Sequence, residues 1–166
     1  MVPGGDRLVK ALDPLLRRIA PALWWGQTMR WRILRPTVIG VKVLLLREGQ
    51  VLLVRQTYLP GWHLPGGGVK RREALDEAAR REASEEVGAT LHELRLVGIF
   101  SDHSHGKNGY VVLFVSRNLT LRPSHDWEIA EVKFFPLGML PGDTDPATRR
   151  RIAEFIADGE ARTGDW

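Results

Sequence analysis

Three glutamates, Glu82, Glu85 and Glu86, stand at positions i, i+3 and i+4 of a segment rich in Ala, Glu and Arg. On a helix that spacing projects all three carboxylates from one side. Helix formation gives no reason for the arrangement, since like charges at i, i+4 repel by a few tenths of a kcal/mol. Carboxylate oxygens are hard ligands and suit Mg²⁺ or Mn²⁺ rather than zinc or copper. An ion held this way keeps waters, shares oxygens of a phosphate substrate and helps turn a bound water into a nucleophile. The spacing alone also fits a solvated acidic helix face paired with Arg80, Arg81 and the basic run Lys70–Arg72.

The flanking residues decide between these readings. Gly67, Glu73, Arg81, Glu82, Glu85, Glu86 and Gly88 fall on all seven fixed positions of the pattern G-x5-E-x7-R-E-U-x-E-E-x-G-U, where U is a bulky aliphatic residue. At average residue frequencies such a match arises by chance in roughly one chain per million of this size. The segment therefore resembles the Nudix box. The two U positions hold Ala83 and Ala89, smaller than the family prefers. The resemblance implies a Nudix α/β/α sandwich with a mixed β-sheet, of α+β class, and Mg²⁺ (or Mn²⁺) bound by Glu82, Glu85 and Glu86. It implies that an acid at the start of a late strand reaches the metal; Glu128 fits best and Glu131 second. Glu73 and Arg81 match a structural ion pair, and Gly67 and Gly88 match backbone positions where a side chain would obstruct the loop–helix–loop geometry. The resemblance also implies a glutamate as catalytic base, with Glu82 and Glu85 the two candidates.

Around this segment the chain alternates short strand-like runs with two helices. Thr37–Arg47 and Val51–Gln56 are β-branched and apolar on either side of Glu48-Gly49-Gln50, which reads as a hairpin. A loop rich in Pro and Gly runs from Tyr58 to Gly68. Residues Glu73–Val87 lack Pro and Gly and predict a helix, with Gly88 at its C-terminal end. Leu94–Phe100, Tyr110–Arg117 and Glu128–Phe135 predict further strands. Asp145 or Thr144 caps a last helix opened by Pro146 and running to Ile156. The polar loop Ser101–Gly109 should border the site, where His103, His105 and Lys107 either meet substrate phosphates or are merely solvated. Tyr58 and Trp62 either stack on a nucleobase or, for Trp62, pack the loop.

The domain plan is an N-terminal arm over residues 1–36, a Nudix domain over 37–157 and a tail over 158–166. The arm holds seven Lys/Arg against two Asp, a net of +5, so the remainder of this chain of net charge +4 carries about −1. The basic balance therefore gives no ground for nucleic-acid binding by the domain. In the arm, Leu8, Leu12, Leu15, Leu16, Ile19 and Leu23 recur at helical spacing, followed by Trp24, Trp25 and Trp31 among arginines. This pattern suits docking on the domain, homodimerisation or weak contact with a membrane surface. No apolar run approaches the roughly 18–20 residues that span a bilayer. The absence of cysteine excludes disulfides, thiolate zinc sites and a cysteine nucleophile; it also excludes the Nudix-fold isopentenyl diphosphate isomerases, which rely on cysteine. The expectation is a cytoplasmic, Mg²⁺-dependent hydrolase of a phosphoanhydride bond in a nucleoside diphosphate linked to another moiety. The alternatives are a non-catalytic nucleotide-sugar sensor and a membrane-docked prenyl or lipid diphosphate hydrolase.

Overall fold

A computed structural model describes residues 37–103, 108–124, 126–159 and 162–166, together with Ile19, Ala22, Leu23, Trp25, Gly26 and Met29. Strand β1 (Thr37–Arg47) turns through Glu48 and Gly49 into β2 (Gln50–Gln56). Both turn residues have positive φ, 49° and 75°, which matches the twist of a two-residue hairpin. Helix α1 (Leu75–Val87) follows, then β3 (Ala89–Leu91), β4 (Arg95–Asp102), β5 (Asn108–Ser116), β6 (Leu119–Leu121), β7 (Ile129–Pro136), helix α2 (Pro146–Ala157) and β8 (Arg162–Asp165). Six strands form one mixed sheet in the order β7-β2-β1-β5-β4-β8, with β1/β5 and β4/β8 parallel. The short strands β3 and β6 pair separately.

The core lies on both faces of this sheet, because the central strands alternate apolar side chains in both directions. On one face Val41, Val43, Leu45, Leu52 and Val54 meet Ala78, Ala79, Ala83 and Val87 of α1. On the other, Leu44, Leu46, Val51 and Leu53 meet Ile152 and Phe155 of α2. The result is the three-layer α/β/α arrangement, and it accounts for Ala83 and Ala89. Both are fully buried, where α1 and its exit turn lie close against the sheet.

Several boundaries differ from the expectation: Ser101, Asp102, Asn108 and Gly109 belong to β4 and β5 rather than to the polar loop, and β3 and β6 are additional strands. Helix α1 starts at Leu75, not Glu73, because Arg72 takes a positive φ of 66° and Glu73 closes a turn with Lys70. The tail is also not a tail throughout: residues 162–165 form β8, a parallel edge strand on β4. Asp145 rather than Thr144 caps α2, its carboxylate accepting from the Thr148 amide at 2.7 Å. The six described arm residues are helical and exposed. No helix among the described residues is long and apolar enough to cross a membrane.

Candidate active site

The loop 65–68 and helix α1 build one wall of the site. The backbone of Gly66 and Gly67 lies against β1, with the Val41 and Val43 amides donating to the carbonyls of Gly67 and Pro65 at 2.9 and 3.0 Å. Gly66 has φ 135°, and a β-carbon there would sit 2.2 Å from the Val41 carbonyl oxygen. Only glycine can thread this position. Its amide donates to Glu86 Oε2 at 2.7 Å. From beneath, Lys42 on β1 donates to the carbonyls of Leu64 and Gly66 at 2.8 and 2.7 Å, so a cation fixes the same turn. A β-carbon on Gly67 would come within 2.8 Å of the Glu82 carboxylate, which therefore rests directly on the loop.

Arg81 ties the loop to the helix. Its Nε and Nη2 donate to the two oxygens of Glu73 at 2.6 and 2.9 Å, a bidentate pair that fixes orientation as well as charge. Nη2 also reaches the Gly68 carbonyl, and Nη1 bridges Glu82 and Glu85 at 2.7 and 2.9 Å. These bonds, the one to Glu73 first, hold the guanidinium pKa above its ordinary value. The Arg81 bond, with help from the Lys70 amide, pulls the Glu73 carboxyl down to about 2. At the far end of α1, Gly88 takes φ 66° and lies under the Arg122 carbonyl, 2.0 Å from where a β-carbon would be. This left-handed cap turns the chain into β3.

The three box glutamates have unequal surroundings. Glu86 is buried, and burial pushes its carboxyl up to about 7 against the opposing pull of Lys42 and the Gly66 amide. The Glu82 side chain is 14% exposed and that of Glu85 51%, so Glu85 is the most open to solvent. Opposite them, Glu128 directly precedes β7 and accepts from the Tyr58 hydroxyl at 2.8 Å. Burial raises the Glu128 pKa while the Tyr58 bond lowers it. Burial, then Glu128's charge, keeps the Tyr58 phenol protonated.

Glu82, Glu85, Glu86, Glu128 and Tyr58 all line one cavity of about 910 Å³, as does His103. Glu131 does not line it and pairs with Arg55 at 4.0 Å instead. Trp62 does not line it either. It is buried 4.7 Å from the Phe135 ring with Arg55 stacked on it, so packing is the role its placement supports and the stacking on substrate is not. His105 and Lys107 lie outside the described residues. Several lining groups were not evident in the sequence, among them Lys42, His63, Asp126 and Asp165. Asp126 accepts from the Glu128 amide at 2.9 Å and so fixes the backbone that carries that carboxylate.

Among the described residues, eight Asp/Glu and three Lys/Arg line the cavity. A polyphosphate entering it meets net repulsion unless cations accompany it. The donor set is all oxygen, which fits a hard divalent ion. Among the described residues, no three Asp, Glu or His side chains are gathered into a ready-made metal cluster, and Arg81 bridges two of the carboxylates that would hold the ion.

The family model described as the NUDIX domain matches residues 36–158. The chain belongs to the Nudix family. Hydrolases of this family cut phosphoanhydride bonds and generally use divalent metals. A putative 8-oxo-dGTP diphosphatase of Bacillus subtilis is 33% identical over 122 residues, covering 70% of this chain and 78% of that protein. An RNA pyrophosphohydrolase of a Marinomonas species is 39% identical over 64 residues, or 39% of this chain and 38% of that protein. Among solved structures, a MutT Nudix hydrolase from Burkholderia pseudomallei superposes with a TM-score of 0.65 at 25% identity, covering 71% of this chain and 97% of that one. The Nudix box found in the sequence is thus the loop–helix wall of the cavity.

Proposed function

We propose that this Nudix protein is a Mg²⁺-dependent cytoplasmic hydrolase of the phosphoanhydride bond in a nucleoside diphosphate carrying a second moiety, such as a nucleotide sugar or an ADP-ribose-like molecule. The observation that carries the reading is that Glu82, Glu85, Glu86 and Glu128 line a single cavity running along one whole end of the six-stranded sheet. Its volume, about 910 Å³, lies near the top of the range of small-molecule sites, roughly 300–1,000 Å³.

In this proposal Glu82, Glu85, Glu86 and Glu128 hold the metal, with Mn²⁺ an alternative ion. When bound, a divalent ion neutralises charge on the diphosphate and acidifies a bound water. The chain's own groups do the rest. Glu82 or Glu85 accepts the proton of the attacking water. Arg81 sets the rotamers of both by its Nη1 bonds. Tyr58 orients the Glu128 carboxylate, Asp126 fixes its backbone, and Lys42 fixes the glycine turn on which Glu82 and Glu86 rest. His103, His105 and Lys107 are the loop groups offered to the substrate.

The test is a screen over nucleoside triphosphates and nucleoside diphosphate derivatives with Mg²⁺ and Mn²⁺, beside Glu85→Gln, read as the phosphate that added inorganic pyrophosphatase frees from pyrophosphate, or added alkaline phosphatase frees from the phosphomonoester products of the diphosphate derivatives. Activity that requires metal and falls at least about tenfold in the variant supports the reading. Equal inertness of both proteins across the panel would shift the case to a nucleotide-sugar sensor. A membrane-docked diphosphate hydrolase is favoured by one observation, the exposure of Ile19, Leu23 and Met29 on the helical arm residues. Sedimentation with phosphatidylserine-containing vesicles tests it, and full recovery of the protein in the supernatant removes it.

A further inference from the structure

The cavity does not stop at the glutamates; it passes round the end of the sheet onto the α2 face. Val38, Gly40 and Lys42 alternate with Val41 and Val43 and so share the side of Leu44, which packs against α2. The register carries that side outward in two rows, Val38 to Gly109 to Asp102 and Gly40 to Val111 to Phe100 to Gly164. Trp166, two residues beyond Gly164, lies on the same side; its amide donates to the Ser101 carbonyl at 2.8 Å and its ring meets Phe100 edge-on at 5.9 Å. Tyr110, Ser101 and Asp165 project to the α1 face and take no part in this surface. Above it, Arg151 of α2 lies over the Phe100 ring at 4.2 Å, and Ala147 and Thr148, one turn earlier, line the cavity. The result is a slot with the sheet as floor, the first turn of α2 as roof and Trp166 as outer wall. Its floor is low, since a β-carbon on Gly40 would meet nothing within 4 Å but the Gly67 carbonyl oxygen at 3.4 Å. There the slot meets the glutamate end, because Gly40 bridges to Gly68. Three strand spacings of about 4.8 Å, roughly 14 Å, separate that point from β8. Lys42 is already engaged by the Leu64 and Gly66 carbonyls. Asp102, midway along, brings a carboxylate with several acceptor positions.

We infer that this slot is a nucleobase subsite in which Trp166 stacks on the ring and Asp102 reads an amino group on its edge. This rests on the reading that a diphosphate is held at the glutamate end. Stacking on an aromatic face tolerates every base, so Trp166 supplies affinity. A carboxylate accepts and cannot donate, so Asp102 supplies the choice. It favours adenine, guanine or cytosine, whose edges carry an amino donor. It disfavours uracil and hypoxanthine, which present a carbonyl where cytosine and adenine carry that donor. Strand β8, which adds no catalytic group, thereby acquires a function: it carries Trp166 to the slot.

Calorimetry on the full chain in Mg²⁺ compares methylenediphosphonate, which has no base, with the α,β-methylene diphosphates of adenosine, guanosine, inosine, cytidine and uridine. Water cannot cut the methylene bridge of any of them. The best nucleoside analogue should bind at least about tenfold more tightly than methylenediphosphonate. For at least one ring size, an amino-bearing analogue should bind at least about tenfold more tightly than its amino-free counterpart. Asp102→Asn, whose amide can turn to donate or accept, should shrink that preference below about threefold. Trp166→Ala should weaken every nucleoside analogue at least about fivefold and leave methylenediphosphonate within about twofold. Melting curves check the fold. If Trp166→Ala melts early, Gly40→Ala takes its place: its methyl enters the floor of the slot and should cost the nucleoside analogues the same fivefold. Equal affinity for all five bases, a full preference in Asp102→Asn, or nucleoside affinity untouched by Trp166→Ala or its replacement overturns the inference. The two readings fail separately. If methylenediphosphonate requires Mg²⁺ but the nucleoside analogues bind no better, the slot is rejected alone. If Mg²⁺ changes nothing while Trp166→Ala still weakens the nucleoside analogues, the glutamate reading is rejected alone.

Discussion

The three successive glycines Gly66, Gly67 and Gly68 have identical side chains but should respond to alanine in three different ways. At Gly66 the new β-carbon would lie 2.2 Å from the Val41 carbonyl oxygen and 2.9 Å from the Lys42 α-carbon, both backbone atoms. The positive φ alone costs a side-chain-bearing residue about 1–3 kcal/mol. Displacing a β1 carbonyl and loosening the amide bond to Glu86 add to it, for a total of at least about 3 kcal/mol. For a chain of this size that lowers the melting temperature by about 6–12 °C. At Gly67 the obstacle is the Glu82 carboxylate at 2.8 Å, the end of a flexible side chain. It can swing aside for about 1 kcal/mol, or 2–4 °C, but then leaves its place on the loop and beside Arg81. Hydrolysis should fall at least about tenfold with little loss of fold. At Gly68 nothing lies within 4 Å, and alanine should be within about 0.5 kcal/mol of wild type in stability. Differential scanning calorimetry and a phosphatase-coupled hydrolysis assay on the three variants measure both quantities. If Gly68→Ala is as damaging as Gly66→Ala, or Gly66→Ala melts within about 2 °C of wild type, the packing argument fails.

Further outcomes follow from the ion pairs and the core. Glu73 has a carboxyl pulled down to about 2 from 4.5. Its pairing therefore stabilises the fold above about pH 4.5 and is lost as pH falls toward 2. The melting-temperature gap between wild type and Glu73→Gln should be constant near neutrality and close over that acid range; a gap that persists at about pH 2 contradicts the assignment. Tyr58→Phe removes the bond that lowers the Glu128 pKa, so the acid limb of the rate profile should move to higher pH, while an unmoved limb would detach Glu128 from the reaction. Trp62→Ala should cost about 3–5 kcal/mol in the core with KM for any substrate changed less than about twofold; a large KM effect with little loss of stability would return Trp62 to the substrate.

How much of this was legible in the sequence depended on how local the signal is. Helix α1 and its end were readable because Ala, Glu and Arg favour the helix throughout and Gly88 supplies the left-handed cap. The β1–β2 hairpin was equally plain from its turn between two apolar runs. Strand β8 was not, since Arg-Thr-Gly-Asp has no apolar alternation and is held as an edge by backbone pairing to β4. The three-residue strands β3 and β6 are too short to show any period. At the site, the box glutamates share one helix, so their spacing exposed them. Lys42 hid in an apolar strand, where one polar residue gives no hint that it faces a glycine turn two dozen residues ahead. Asp126 reveals itself only through the Glu128 amide it holds. Trp62 belongs to a loop in sequence but to the core in space, joined by pairing of its neighbour His63 with Val54.

The central claim, that the box glutamates hold a divalent ion at the end of the cavity, is tested most directly by Mn²⁺ binding followed by electron paramagnetic resonance. Wild-type protein and Glu131→Gln, whose carboxylate lies outside the cavity, should bind Mn²⁺ alike. Glu82→Gln and Glu86→Gln should each weaken binding by at least about tenfold, the loss expected of a missing ligand or its support. Undiminished Mn²⁺ affinity in both cavity variants would contradict the account.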